Sequence, residues 1–208
     1  MSLDIPFEPV TLAGVVGLMR RGAKPDAPLA ILLHGYGGDE KVMWVFADAL
    51  PSAWTTIAFR GIAPAEGGGY RWHVGRRWPP PQAEAFGPAV EAVRQAIPQA
   101  RGILWIGFSQ GAALALCCAA AGLPSIGVAC LAGYLPQRFP ALVAGLPVFW
   151  AHGRRDDKVP IDSARASGRM LETWGVRLDF CEADSGHKVG AECLRALGGW
   201  IRRLDISA

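Results

Sequence analysis

Five consecutive residues, Gly107-Phe108-Ser109-Gln110-Gly111, constrain the fold of this chain more than any other stretch. They follow an apolar run of strand character, Ile103-Leu104-Trp105-Ile106, and precede an Ala/Leu-rich helical pattern from Ala112 to Ala121. Small residues at 107 and 111 permit a sharp strand-to-helix turn. Such a turn holds a serine hydroxyl clear of a sheet, with a helix N-terminus directed at any oxyanion formed there. A bare Gly-x-Ser-x-Gly arises easily in Gly- and Ala-rich sequence, and the flanking strand and helix are what give it weight.

The rest of the chain agrees with that unit. Short Val/Ile/Leu-rich runs at Val10 to Met19, Leu29 to Leu33, Thr55 to Phe59, Ile103 to Ile106, Ile126 to Leu131, Val148 to Ala151 and Arg177 to Cys181 read as strands. Helical patterns at Glu40 to Leu50, Ala83 to Ile97, Gln110 to Ala121, Ile161 to Trp174 and Lys188 to Leu204 alternate with them. That alternation implies an α/β fold with a mostly parallel sheet. At 208 residues and with no linker composition, residues 1–208 are expected to form one domain. Ala63 to Pro81 is a long Gly/Pro/aromatic connection, and loops of that length tend to be functional or mobile.

Composition removes several function classes. A hydrophobic fraction of 51% with 19% charged residues is incompatible with a disordered chain. A net charge of +3, with isolated pairs such as Arg20-Arg21, Arg76-Arg77 and Arg154-Arg155 read as solvated surface, gives nothing for nucleic acid to bind. Met1 to Val10 carries acids and prolines where a secretory signal requires a basic start and an apolar run. The apolar stretch from Ala112 to Leu123 is too short for a membrane span and reads as a buried helix, so no stable membrane insertion is expected. Cys117, Cys118, Cys130, Cys181 and Cys193 have no metal spacing and an odd count, which suits free thiols in the core of a cytoplasmic protein.

Each polar cluster follows a strand: His34-Gly35-Tyr36-Gly37-Gly38, Ser109, His152 to Asp157, and Ser185-Gly186-His187. Ligand sites in open α/β sheets form outside the carboxyl ends of the strands, so these clusters are expected on one rim. A serine hydroxyl needs a positioned base, and imidazole is the usual one. His34 and His152 read as hydrogen-bonded histidines organising turns, and His73 as a loop residue at the surface or near substrate. His187 alone follows the candidate acids, in the chain order serine, acid, histidine. Asp156 and Asp157 both lie where the acid belongs, and the spacing His152-Gly153-x-x-Asp156-x-x-Val159-Pro160 favours Asp156. Backbone N–H groups of Gln110, the residue after the serine, and of Tyr36 in the glycine loop are candidate oxyanion donors.

Leu32 to Gly38, Gly107 to Gly111, His152 to Pro160 and Gly186-His187 together resemble the phospholipase/carboxylesterase family of small α/β hydrolases. The resemblance runs from about residue 28 to the C-terminus and implies an α/β-hydrolase fold with a minimal lid. It implies a Ser109, Asp156, His187 triad, oxyanion donors at Tyr36 and Gln110, and a small-molecule ester substrate. It also implies no metal and no organic cofactor. Many members carry proline directly after the acid, whereas Lys158 follows the Asp pair here. The segment Gly67 to His73 is similar to the family's acyl-pocket border, which makes Tyr70 and Trp72, together with Trp78, candidate substrate walls, with packing of the long loop onto the body as the equal alternative for these aromatics. The apolar loop leaves room for a homodimer. The rival to an esterase is a binding protein that holds a small molecule on a hydrolase fold without turning it over.

Overall fold

A computed structural model describes residues 7–24, 27–75, 78–100 and 102–204. Arg76-Arg77 and most of the segment read against a secretory signal lie outside the described residues. In chain order the strands are β1 (Glu8–Leu12), β2 (Val15–Arg20), β3 (Leu29–Leu33), β4 (Thr55–Phe59), β5 (Ala63–Pro64), β6 (Tyr70–Arg71), β7 (Ile103–Phe108), β8 (Gly127–Leu131), β9 (Pro147–Gly153) and β10 (Arg177–Ala183). The α-helices are α1 (Gly87–Ala96), α2 (Gln110–Ala120), α3 (Ile161–Thr173) and α4 (Ala191–Ile201). Eight strands form one sheet in the order β1-β2-β4-β3-β7-β8-β9-β10, and β5 and β6 form a separate small pair. From β4 to β10 every neighbouring pair is parallel, while β1–β2 and β2–β4 are antiparallel.

The central strands bury side chains on both faces, so they read as continuous apolar runs and not as alternating ones. In β3, Leu29, Ile31 and Leu33 join one apolar layer, and Ala30 and Leu32 join the other. β7 repeats the split, with Ile103 and Trp105 on the first side and Leu104 and Ile106 on the second. The first layer is closed by α1, α2 and α3, through residues such as Val93, Leu114 and Leu171. The second is closed by α4, with Leu197, Trp200 and Ile201, and by a 3-10 helix at Val42–Ala49, with Met43 and Phe46. Because α2 lies in the core along nearly all its length, its residues are small: Gly111, Ala112, Ala113 and Ala115 are buried.

Four expectations need correction. The run from Val10 to Met19 is a hairpin and not one strand, because Ala13 and Gly14 both adopt positive φ (46° and 84°) and reverse the chain. The segment Glu40 to Leu50 is 3-10 and not α over Val42–Ala49. Its β-branched and aromatic residues are poor α-formers, and Asp39 Oδ1 accepts the Lys41 and Val42 N–H groups at its start. Arg20 is not solvated surface: it is 4% exposed, and its Nη2 donates to Pro51 O and Thr56 Oγ1. Finally, Cys181 and Cys193 are joined in a disulfide, so only Cys117, Cys118 and Cys130 are free. Burial pushes the Cys117 thiol up to about 12 and raises the other two well above their ordinary value, which leaves all three unreactive.

Candidate active site

The serine turn joins β7 to α2, and its glycines are there because backbone crosses backbone. A Cβ at Gly107 would lie 2.2 Å from Gly111 O, and one at Gly111 would lie 2.1 Å from Leu33 O. Ser109 itself takes φ 53° and ψ −113°, a region that costs a non-glycine residue about 1–3 kcal/mol. The strain is held by its surroundings: Ser109 N–H donates to Leu131 O at the end of β8 at 2.8 Å, and Ser109 O accepts the Ala112 N–H.

At the ends of β9 and β10, two loops meet over the serine. Gly153 lets them close, since a Cβ there would lie 2.2 Å from Gly186 O. Arg154 N–H donates to Ala183 O at 2.8 Å and Arg155 N–H to Ser185 O at 2.9 Å, stitching the two loops together. This places His187 Nε2 3.0 Å from Ser109 Oγ and His187 Nδ1 2.8 Å from Asp156 Oδ2. The Asp156 side chain is fully buried, and its other oxygen accepts the Lys158 and Val159 N–H groups, both at 2.9 Å. Asp157 projects outward, 70% exposed, to an ion pair with Lys158 at the same rim. Of the two candidate acids, Asp156 is the one that reaches the imidazole.

His34 and His152 do organise turns. His34 Nδ1 donates to Gly35 O at 2.6 Å while its Nε2 accepts the Gly61 N–H at 2.8 Å, which fixes a neutral ring. His152 Nε2 donates to Val159 O at 2.9 Å and lies 3.4 Å from Asp156 Oδ2. His73 is neither at the surface nor at the cleft: it is 3% exposed and packs edge-on to Phe86 at 4.9 Å. Burial lowers the pKa of all three histidines.

The cleft over Ser109 has a volume of about 800 Å³, and Tyr36 and Gln110 both line it. Its apolar walls are Trp78, Phe108, Tyr134 and Val159, with Asp157 and Lys158 at the rim. Phe108 also flanks the His187 ring at 5.1 Å. Burial raises the Tyr134 phenol, so that residue keeps its proton. Phe108 and Tyr134 escaped the sequence reading. The rule that pointed to the other clusters applies to Tyr134 as well, since it follows the carboxyl end of β8.

Tyr70 and Trp72 are not walls of this cleft. Trp72 is wholly buried: its indole N–H donates to His34 O at 2.8 Å, and its backbone N–H donates to Gln110 Oε1 at 2.7 Å. It therefore ties the glycine loop to the start of α2. Tyr70 pairs with the same loop through its backbone, with Gly37 N–H donating to Tyr70 O and Tyr70 N–H to Gly38 O, both at 2.8 Å. The Tyr70 ring lies under the Arg60 guanidinium, 4.6 Å from its centroid. Arg60 also holds Glu40 through two 2.7 Å bonds, which lower the Glu40 pKa. The Tyr36 hydroxyl accepts the Glu66 N–H at 3.0 Å. Among the described residues no group of three or more His, Cys, Asp or Glu is placed to hold a metal ion.

A sequence model of the Phospholipase/Carboxylesterase family matches residues 88–204. No curated protein matches the chain in sequence. Among solved structures, a carboxylesterase from Mesorhizobium loti is 24% identical and superposes with a TM-score of 0.75, covering 95% of this chain and 99% of its own. The esterase PE8 is 22% identical, with a TM-score of 0.75 over 94% of this chain and 100% of its own. The Bacillus cereus carboxylesterase is 21% identical, with a TM-score of 0.71 over 90% and 94%. Identities this low speak for a common α/β-hydrolase architecture, with a mostly parallel sheet flanked by helices.

Proposed function

The chain belongs to the phospholipase/carboxylesterase family, and we propose that it is a serine hydrolase that cleaves carboxylic esters through an acyl-enzyme. The observation that carries this reading is the continuous hydrogen-bonded line from Ser109 Oγ through His187 to the buried Asp156 carboxylate. In the proposed reaction His187 Nε2 takes the Ser109 proton as Oγ attacks the ester carbonyl. Backbone N–H groups of Tyr36 and Gln110 receive the tetrahedral oxyanion, and His187 returns its proton to the departing alcohol. Water, deprotonated by the same imidazole, then releases the acid and restores the serine. Asp156 accepts the Nδ1–H throughout, which holds the productive tautomer and offsets the charge on the imidazolium.

The aromatic walls of the cleft support an ester with an apolar acyl or alcohol group, and thioesters or lysophospholipids would react by the same steps. No helix among the described residues is long and apolar enough to cross a membrane. The expectation of a cytoplasmic protein rests in part on free thiols. With Cys181 and Cys193 bridged, that support falls away, because disulfides are uncommon in reducing compartments. The test is hydrolysis of a series of p-nitrophenyl esters by wild type, Ser109→Ala and His187→Ala. Each variant is expected to lose roughly a thousandfold or more in kcat, as broken triads do. Unchanged turnover in Ser109→Ala would end the proposal.

A further inference from the structure

His187 sits on a loop between β10 and α4 that has no helix or strand of its own. β10 is an edge strand of the sheet, paired among the described residues with β9 alone, so the loop hangs from one margin of the sheet. Its two ends are drawn close together. A Cβ on Gly190, just before α4, would lie 2.4 Å from the Ala183 Cβ at the end of β10. Beneath this neck Cys181 in β10 and Cys193 in the first turn of α4 are joined, twelve residues apart in sequence, with His187 midway between them. The bridge packs in the apolar layer under the loop, with Cys193 fully buried.

Besides the His187–Asp156 bond and the two backbone hydrogen bonds from Arg154 and Arg155, this loop is tied to the acid loop by the Arg155 side chain, which donates to Asp184 O at 3.0 Å and pairs with the Asp184 carboxylate, the two side chains being 69% and 71% exposed. Exposed pairs of that kind contribute little. A covalent link that closes a short loop acts differently, because it removes conformations in which the strand and the helix separate. The imidazole must hold hydrogen-bond geometry to Ser109 and Asp156 at once, and small displacements of a catalytic group cost rate steeply.

Resting on the serine-hydrolase reading above, we propose that the Cys181–Cys193 bridge positions His187, and that turnover follows the oxidation state of this pair. A dithiol reductant such as dithiothreitol would convert the bridge to two thiols, giving up two electrons and two protons and closing to its own cyclic disulfide. Oxidised glutathione would re-form the bridge and leave as two molecules of glutathione.

The experiment compares ester hydrolysis by protein purified without reductant, the same protein reduced with dithiothreitol, the reduced protein reoxidised with oxidised glutathione, and Cys181→Ala/Cys193→Ala. Intact mass after thiol alkylation under denaturing conditions reports the bridge. Far-UV circular dichroism reports the folded fraction to which rates are normalised, and Cys181→Ser, at the partly exposed end, serves if the double variant folds poorly. The expected result is a fall of roughly tenfold in kcat on reduction, with KM little changed, recovery on reoxidation, and a double variant that matches the reduced form and ignores dithiothreitol. A structural role alone would lower the melting temperature and leave kcat per folded molecule intact, which would overturn the inference. Five alkylatable thiols in the unreduced protein would overturn it as well. Failure of the oxidised wild type to turn over any ester would overturn the hydrolase reading and this inference with it, whereas full turnover unaffected by reduction would remove the inference alone.

Discussion

Asp156 and Asp157 differ by one position and by everything that matters to an imidazole. Asp156 is buried against His187 Nδ1, with its second oxygen filled by two backbone N–H groups, while Asp157 meets water and Lys158. Asp156→Asn presents the wrong partner to Nδ1 and is expected to lower kcat by about 10⁴. Asp157→Asn is expected to stay within a few-fold of wild type, and steady-state kinetics on one ester separates the two. Trp72→Phe keeps an aromatic ring and deletes the indole N–H that His34 O accepts, freeing the loop that carries Tyr36 from the start of α2. An unsatisfied buried carbonyl costs about 1–3 kcal/mol, so the variant should melt lower and lose kcat with KM nearly constant. A loss confined to KM would return Trp72 to the substrate wall where the sequence had put it. The hydrogen-bonded line of Ser109, His187 and Asp156 was legible because chain order and spacing encode it. The place of Trp72 was not, because an aromatic in a glycine-rich loop suits a pocket wall and a buried brace equally well.

At the scale of elements, the site depends on backbones that approach more closely than a side chain allows. Gly111 lets α2 descend onto the end of β3, where an added Cβ would lie 2.1 Å from Leu33 O and 2.5 Å from His34 O. Gly111→Ala must move backbone, so a loss of about 1–3 kcal/mol or more is expected in urea unfolding, together with loss of esterase activity. Gly199, inside α4, is the contrast: its added Cβ would find only Arg202 and Arg203 side-chain ends at 3.9 and 3.8 Å. Gly199→Ala is expected to stabilise by about 0.4–1 kcal/mol. Strands and helices that contribute long apolar runs to the core were readable as such. The hairpin at Ala13-Gly14 was hidden because alanine stands where asparagine or aspartate usually announces a two-residue turn. The 3-10 helix was hidden because its apolar spacing resembles that of an α-helix.

For the molecule as a whole, buried histidines set a pH limit. His34, His73 and His152 have pKa values lowered from 6.5 by burial, so the unfolded chain takes up protons that the folded one refuses. Their contribution is complete above pH 6.5 and is lost as pH falls from there toward the lowered folded values, at up to about 1.4 kcal/mol per pH unit for each histidine. Glu40 and Glu182, whose pKa values are lowered by Arg60 and Arg165, act in the same direction but only below about 4.5. Melting temperature should therefore fall between pH 6.5 and 5, ahead of any carboxylate effect, and a flat profile there would contradict the neutral buried rings. The sequence placed the four polar clusters on one rim because topology fixes where strands end; it was silent on the bridge because cysteine pairing depends on approach in space. In the proposed reaction His187 and Asp156 make Ser109 a nucleophile. Intact-mass analysis after treatment with a fluorophosphonate, on wild type beside Ser109→Ala, reads that reactivity without a substrate. One adduct on wild type, mapped to Ser109 and absent from the variant, is the result this geometry predicts. An unmodified wild type, or an adduct that survives in Ser109→Ala, would contradict it.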